Sequence, residues 1–260
     1  MTRLTESAAE AAIEAACREL HLPTVRAEAG SMAEAAAKAR LTHKGFLAEV
    51  LMAEMDDRAE RRRVRRIGEA RFPRLKRLDE FDCSSASVTP TEVATLAAGS
   101  FIEKGTPVVL LGDSGTGKSH LLIGLGIAAC EAGKRVRYVT AAALVNELVE
   151  AADDLSLSRV VGRYGRIDLL CLDELGYLHL DPRGAELLFQ VITEREERGS
   201  IACASNAPFS EWGQTFTDAR LAAAVVDRLT YQALIVETGT DSYRLRTSRG
   251  RKKKGGASGT

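Results

Sequence analysis

The apolar positions keep a helical spacing through the first third of the chain, then break into short continuous runs separated by helical stretches. Residues 1–40 are alanine-rich and read as helix, interrupted at Pro23 after Leu20-His21-Leu22, because proline has no amide to donate. From Thr42, a suitable N-cap, Phe46, Leu47, Val50, Leu51 and Met55 recur three and four residues apart and predict an amphipathic helix reaching about Phe72. Pro73 ends it. Residues 73–90, with Ser84-Ser85 and Pro90, read as a linker, and Thr91–Ser100 as a short helix closed at Gly99. Strands are then expected at 107–111, 134–140, 167–174, 200–205 and 234–236, with a short final one at 243–246. Helices are expected at 120–132, 141–153, 156–164, 182–198, 209–216 and 219–230. Strand followed by helix, five times over, predicts a parallel sheet with helices on both faces. The fold class is therefore α/β, preceded by a small all-α N-terminal domain. Periodicity alone does not order the strands in space.

One strand-to-helix junction carries chemistry. Gly112 to Ser119 reads GDSGTGKS, between the apolar run Pro107–Leu111 and the helical run from His120, which is the context that makes a GxxxxGK[ST] match a phosphate-binding loop. Glycines 112, 115 and 117 let successive amides turn inward at oxyanions, and the helix start adds the positive end of its dipole. Lys118 is expected to reach the β/γ-phosphates and the Ser119 hydroxyl to hold Mg²⁺. The ATP-contacting set is then Gly112, Asp113, Ser114, Gly115, Thr116, Gly117, Lys118, Ser119 and His120. The apolar strand 167–174 ends in two carboxylates, where ligands of such sheets sit. Asp173 is expected to support Mg²⁺ through its water shell and Glu174 to polarise the attacking water. Asn206, at the tip of the strand Ser200–Ser205, is placed to bond that water or the γ-phosphate; its plainer use is the turn before Pro208.

Composition adds limits. The 260 residues are 45% hydrophobic and 28% charged, which fits a globular protein with a sizeable core. Five scattered cysteines (17, 83, 130, 171 and 203) without a CxxC pair argue for a reducing cytoplasm and against a disulfide framework or zinc site. No apolar stretch approaches membrane-spanning length, and the N-terminus lacks a signal-peptide pattern. The net charge of zero hides segregation: between Arg58 and Arg77 there are ten basic residues and two acidic ones. Arginine dominates the run and its planar fork suits phosphates. Arg58, Arg61, Arg62, Arg65 and Arg66 are therefore expected to bind a nucleic-acid backbone in a sequence-tolerant, salt-sensitive way, the other readings being an acidic partner or a solvated helix face. The tail from Arg249 is basic, glycine-rich and expected to be disordered. The expected organisation is a helical DNA-binding domain over 1–72, to which the resemblance below adds oligomerisation, a linker over 73–90, a nucleotide domain over 91–247 and a tail over 248–260.

Several further segments carry a resemblance: LHLPTV near residue 20, the arginine-rich helix leading to LDEFD, GDSGTGKSHL, LLCLDELGYL, SNAPFSEW, VVDRL and DSYR. In these the chain resembles the IstB family, ATPase helpers encoded beside the transposase in a class of bacterial insertion sequences. More distantly it is similar to the DnaC-type replicative helicase loaders. The resemblance implies a P-loop AAA+ ATPase whose sheet has an added strand, with Glu174 as the catalytic base and Asn206 as the sensor on the fourth strand. It implies that Arg228 is an arginine finger reaching the γ-phosphate of a neighbouring subunit, and that Arg244 is a second nucleotide sensor. It further implies a homo-oligomer that wraps or bends duplex DNA and recruits the transposase, with ATP hydrolysis controlling assembly. Helicase loaders carry another arginine one turn before the finger; here that position is Ala224, and Arg220 is the nearest candidate.

Overall fold

The computed structural model describes residues 5–177, 179–196, 198–216, 218–240 and 242–243. The chain divides into two compact units between Arg65 and Arg66. Among the described residues no helix is long and apolar enough to cross a membrane.

The first unit is helical: α1 (Glu6–Glu19), α2 (Pro23–Lys38) and the greater part of α3 (His43–Ala70). Pro23 stands in the first turn of α2, where its missing amide would have had no partner. Thr42 caps α3 by accepting the Gly45 amide at 3.1 Å. The interior is small, with Cys17, Ala36 and Val50 buried while Leu47, Leu51, Met52 and Met55 stay exposed. A buried carboxylate supplies much of the order. Glu54 accepts the Thr24 and Val25 amides at 2.9 and 3.1 Å, bonding the otherwise orphaned first turn of α2. Its other oxygen takes Arg58 Nε at 2.8 Å and Arg61 at 3.5 Å. Arg58 also donates to the His21 carbonyl, and Arg61 pairs with Asp57 at 3.0 Å.

The second unit begins its regular structure with α4 (Pro90–Ala97) and α5 (Ser100–Glu103). It continues through β1 (Val108–Leu111), α6 (Lys118–Glu131), β2 (Val136–Thr140), α7 (Ala141–Asp153), α8 (Leu157–Gly165) and β3 (Leu169–Asp173). Then come α9 (Pro182–Arg195), β4 (Ser200–Ser205), α10 (Trp212–Phe216), α11 (Ala219–Thr230) and β5 (Leu234–Glu237). The strands are all parallel in the order β2-β3-β4-β1-β5. Alternation along them divides the core. Val109, Leu170, Leu172, Ile201 and Cys203 face α7 to α11, and Val108, Leu110, Leu169, Cys171, Ala202 and Ala204 face α4 to α6. The expected final strand at 243–246 and the tail lie outside the described residues beyond Tyr243.

Residues 73–90, read from sequence as a linker, lie against the second unit's core. Leu78 and Phe81 pack there as partly buried apolar groups, with the Leu78 side chain where a Cβ on Gly124 of α6 would stand. Arg195 is buried although charged: its guanidinium donates to the carbonyls of Tyr164, Ile167 and Ser200 at 2.5, 2.9 and 2.6 Å. Burial pulls its pKa down to about 10. The five cysteines are unbridged, and burial raises Cys130 and Cys203 to about 12, so these thiols stay protonated and inert.

The Glu54 network has a pH signature. Burial alone pushes its carboxyl up, but the Arg58 hydrogen bond and the Val25 and Thr24 amides outweigh it and hold it below the ordinary 4.5. A carboxyl that titrates lower when folded stabilises above the ordinary value, and the contribution fades as pH falls through the folded one. In Glu54→Gln the Thr24 and Val25 amides should exchange about tenfold faster, with the Val108–Leu111 amides unchanged. The parent should lose the same protection as pH drops below 4.5. Equal Thr24 and Val25 exchange in both proteins at neutral pH would show that the carboxylate does not hold α2.

Candidate functional site

The loop from Gly112 to Gly117 leaves the carboxyl end of β1 and enters α6 at Lys118. Gly117 is the N-cap, at φ 104°, and a Cβ there would meet the Phe81 ring at 2.7 Å. Only glycine combines that backbone with that closeness. Asp113 and Ser114 are exposed, whereas Thr116 is buried and donates to the Asp113 carbonyl at 2.8 Å. The segment after β5 binds the loop from the other side. Thr238 donates its amide to Leu111 (2.7 Å), Gly239 accepts from the Asp113 amide (3.1 Å) and the Tyr243 amide donates to Gly115 (3.1 Å). The Thr116 and Thr238 hydroxyls share a hydrogen bond at 2.6 Å. Lys118 Nζ donates to the Gly112 and Asp113 carbonyls at 2.6 and 2.7 Å, which holds its charge at the mouth of the loop.

This loop forms one wall of a cavity of about 340 Å³, whose lining includes Gly115 to His120, a size suited to a small ligand. Arg74, Lys76, Phe81, Ala86 and Tyr243 also line it. His120 meets the Phe81 ring edge-on at 5.5 Å and its Nε2 lies 2.8 Å from the Arg77 carbonyl. Arg74 and Lys76, counted from sequence in the basic run, are thus beside the phosphate loop. Composition could not distinguish them from the arginines of α3.

The two carboxylates take different environments at the end of β3. Asp173 is buried and accepts from the Tyr138 hydroxyl at 2.7 Å and the Glu174 amide at 2.9 Å. Burial and then the Asp173 charge raise the Tyr138 phenol well above its usual range, so it stays a donor. Glu174 is exposed and adopts φ 62°, a conformation uncommon for a residue with a side chain and typical of functional turns. The next turn touches Asn206: a Cβ on Gly176 would stand 2.6 Å from Asn206 Oδ1 and 2.8 Å from the Ala207 amide. Ser205 shapes that corner, accepting from the Ala207 amide at 3.1 Å and Trp212 Nε1 at 3.2 Å. Asn206 Oδ1 is buried and finds no hydrogen-bond partner among the described residues. Gly176 went unnoticed in the sequence because its requirement is this close approach.

Arg228 lies elsewhere. It is in the last turn of α11, just ahead of β5, whose Leu234 pairs with Val108 at the start of β1. The phosphate loop leaves the far end of β1, about 13 Å along a four-residue strand. Arg228 Nε donates to Glu196 at 3.0 Å and its guanidinium stacks on Phe189, 4.6 Å from the ring centroid. Arg220, near the amino end of the same helix, is exposed, as is Ala223 beside Ala224. Arg244 lies outside the described residues. Of the arginines assigned to nucleic acid, Arg58 and Arg61 are ion-paired within the first unit and Arg65 has an interaction of its own. Arg62 and Arg66 form no hydrogen bond or ion pair among the described residues.

Comparison with known proteins bears on these features. A family profile described as IstB-like ATP binding protein matches residues 15–251. The chain is 36% identical over 239 residues to a Geobacillus stearothermophilus protein named as an insertion sequence IS5376 ATP-binding protein, covering 92% of this chain and 95% of that one. It is 36% identical over 220 residues to an insertion sequence IS21 ATP-binding protein of Pseudomonas aeruginosa, covering 84% and 83%. Among solved structures, AMPPCP-bound DnaA from Aquifex aeolicus aligns with a TM-score of 0.56 at 23% identity, over 70% of this chain and 56% of that one. DnaI aligns at 0.51 and 19% identity, over 63% and 90%. These structural likenesses concern architecture, and they make the fold that of the P-loop AAA+ proteins. Since the profile and the relatives both span nearly its whole length, the chain belongs to the IstB-like ATP-binding family.

Proposed function

We propose that this protein is an ATPase of a bacterial insertion sequence that assembles as a homo-oligomer on duplex DNA, bends it and recruits the partner transposase. One observation carries the catalytic part. At the carboxyl ends of three adjacent strands stand a lysine-bearing phosphate loop, a carboxylate on strained backbone and a buried amide oxygen without a partner among the described residues. In this reading Lys118 turns from its loop carbonyls to the β/γ-phosphates of ATP, Glu174 accepts a proton from the attacking water, and Asn206 bonds that water or the γ-phosphate. Ser119 and Asp173 would hold Mg²⁺, whose chemistry is to neutralise charge on the phosphate oxygens. A hydroxyl and a carboxylate are all-oxygen donors, as Mg²⁺ prefers when phosphates complete its shell. Arg74 and Lys76 add positive charge to the cavity.

The distance along β1 between Arg228 and the loop supports a site completed by a second copy, so that assembly and turnover are linked. The names of the relatives support transposition as the setting, and the excess of arginine and lysine between Arg58 and Arg77 supports the duplex backbone as ligand. Repeated phosphate contacts across several copies could offset the few kcal/mol needed to bend a short duplex. A helicase loader has less in its favour, because the position one turn before Arg228 is Ala224.

Three outcomes are expected. Arg228→Ala should keep ATP binding but lower kcat by about 10³-fold under assembling conditions; parental turnover would remove the shared site. Gly176→Ala, by displacing Asn206, should lower kcat by ten- to a hundredfold without weakening nucleotide affinity, and an unchanged kcat would detach Asn206 from the chemistry. Replacing Arg62 and Arg66 with alanine should weaken duplex retention and flatten the dependence of log K on log salt by about two. The Arg58/Arg61 pair should instead loosen the first unit, seen as faster Thr24 and Val25 exchange. Equal salt slopes for parent and Arg62/Arg66 variant would clear those two arginines of phosphate contact.

A further inference from the structure

Arg228 is held by groups on another helix before any second copy is present. Its Nε donates to Glu196 Oε2 at 3.0 Å, one face lies over the Phe189 ring at 4.6 Å, and one terminal nitrogen reaches the Ala224 carbonyl at 3.4 Å. Glu196 caps the carboxyl end of α9 and Phe189 lies two turns earlier on the same helix. Three sides of the guanidinium are thus engaged. The other terminal nitrogen bonds nothing among the described residues, and the side chain keeps 27% of its surface exposed. Phe189 and Glu196 also border an open cleft of about 740 Å³, so the clamp faces accessible space. The last turns of α9 and α11 both bring carbonyl ends, with their partial negative charge, toward the cation.

We propose that Glu196 and Phe189 are positioning residues that preset the Arg228 guanidinium for the phosphates of an adjoining copy. This rests on the reading of Arg228 as a group acting between copies. An arginine side chain has many rotamers, and one delivered in a single geometry loses less entropy in the transition state than one that must be caught there. Glu196 bonds Nε alone. That contact fixes the direction of the fork and leaves the second terminal nitrogen for a triphosphate, which a bidentate carboxylate pair on the outer edge would have blocked. Phe189 prevents the plane from tipping. Neither residue touches the chain's own phosphate loop, which leaves β1 at the opposite edge of the sheet.

The test uses the full-length protein with ATP, Mg²⁺ and duplex, measuring phosphate release for Glu196→Gln, Phe189→Leu and Arg228→Ala. Glu196→Gln and Phe189→Leu are expected to lower kcat about tenfold, with the KM for ATP unchanged. Each is then mixed with Lys118→Ala chains, whose own site is inactive but whose Arg228 is intact. If the fault lies only in the donated arginine, mixing restores turnover, because the variant's own nucleotide site now receives a well-held guanidinium from its neighbour. General damage to the variant's fold or nucleotide site would not be rescued in this way. Parental kcat in Glu196→Gln beside an impaired Arg228→Ala overturns the positioning role alone, as does a rise in kcat, which would mark Glu196 as a restraint. Parental kcat in Arg228→Ala overturns the reading beneath it.

Discussion

A parallel strand covered on both faces can present polar side chains only where it ends, and in this chain three such strands lie side by side. Register pairs β1 with β4 and β4 with β3, residue for residue, so their carboxyl ends open on one edge. Burial is nearly total along all three. Each strand therefore continues straight from apolar core into a turn that carries one element of the candidate site: the glycine-rich loop, the Asp173-Glu174 pair and Asn206. The turns then constrain one another, since Gly176 leaves no room for a side chain beside Asn206. Had the strands been solvated on one face, nothing would have confined these groups to one edge.

How much of this could be read from the residues depends on how local the cause is. Helix α7 was legible because Leu144, Leu148 and Val149 share one side at helical spacing; the cap by the Thr140 hydroxyl, which accepts the Ala143 amide at 3.3 Å, comes from the structure. Strands β3 and β4 were legible as apolar runs ending in polar residues. The phosphate loop was legible as a motif, though not its embrace by residues past β5. Clamping of Arg228 by Phe189 and Glu196 had no local signal, since the partners are more than thirty residues away in sequence. The basic run shows a signal passed over. Glu54 to Arg58 and Asp57 to Arg61 are both four-residue spacings on a helix, which marked those two arginines for pairing. Leu78 and Phe81 were lost among proline and serine because two apolar residues set no period, yet they pack against α6 and the loop before it.

The two units solve the problem of order differently. The second has a large two-faced core and can hold even the Arg195 guanidinium, bonded to three or more carbonyls. The first is built from alanine-rich helices whose small side chains give little apolar area. There the directional bonds of Glu54 fix where α2 begins against α3, a task that larger apolar groups perform elsewhere.

The loop from Gly112 to Gly117 is stitched to Thr238, Gly239 and Tyr243, and one of those stitches, between Thr116 and Thr238, spans 122 positions. Such a contact cannot form on a ribosome until Thr238, 122 residues behind Thr116, has emerged. Until then the motif at 112–119 is chemistry without a frame. A product truncated before β5 would lack these supports however complete its signature residues.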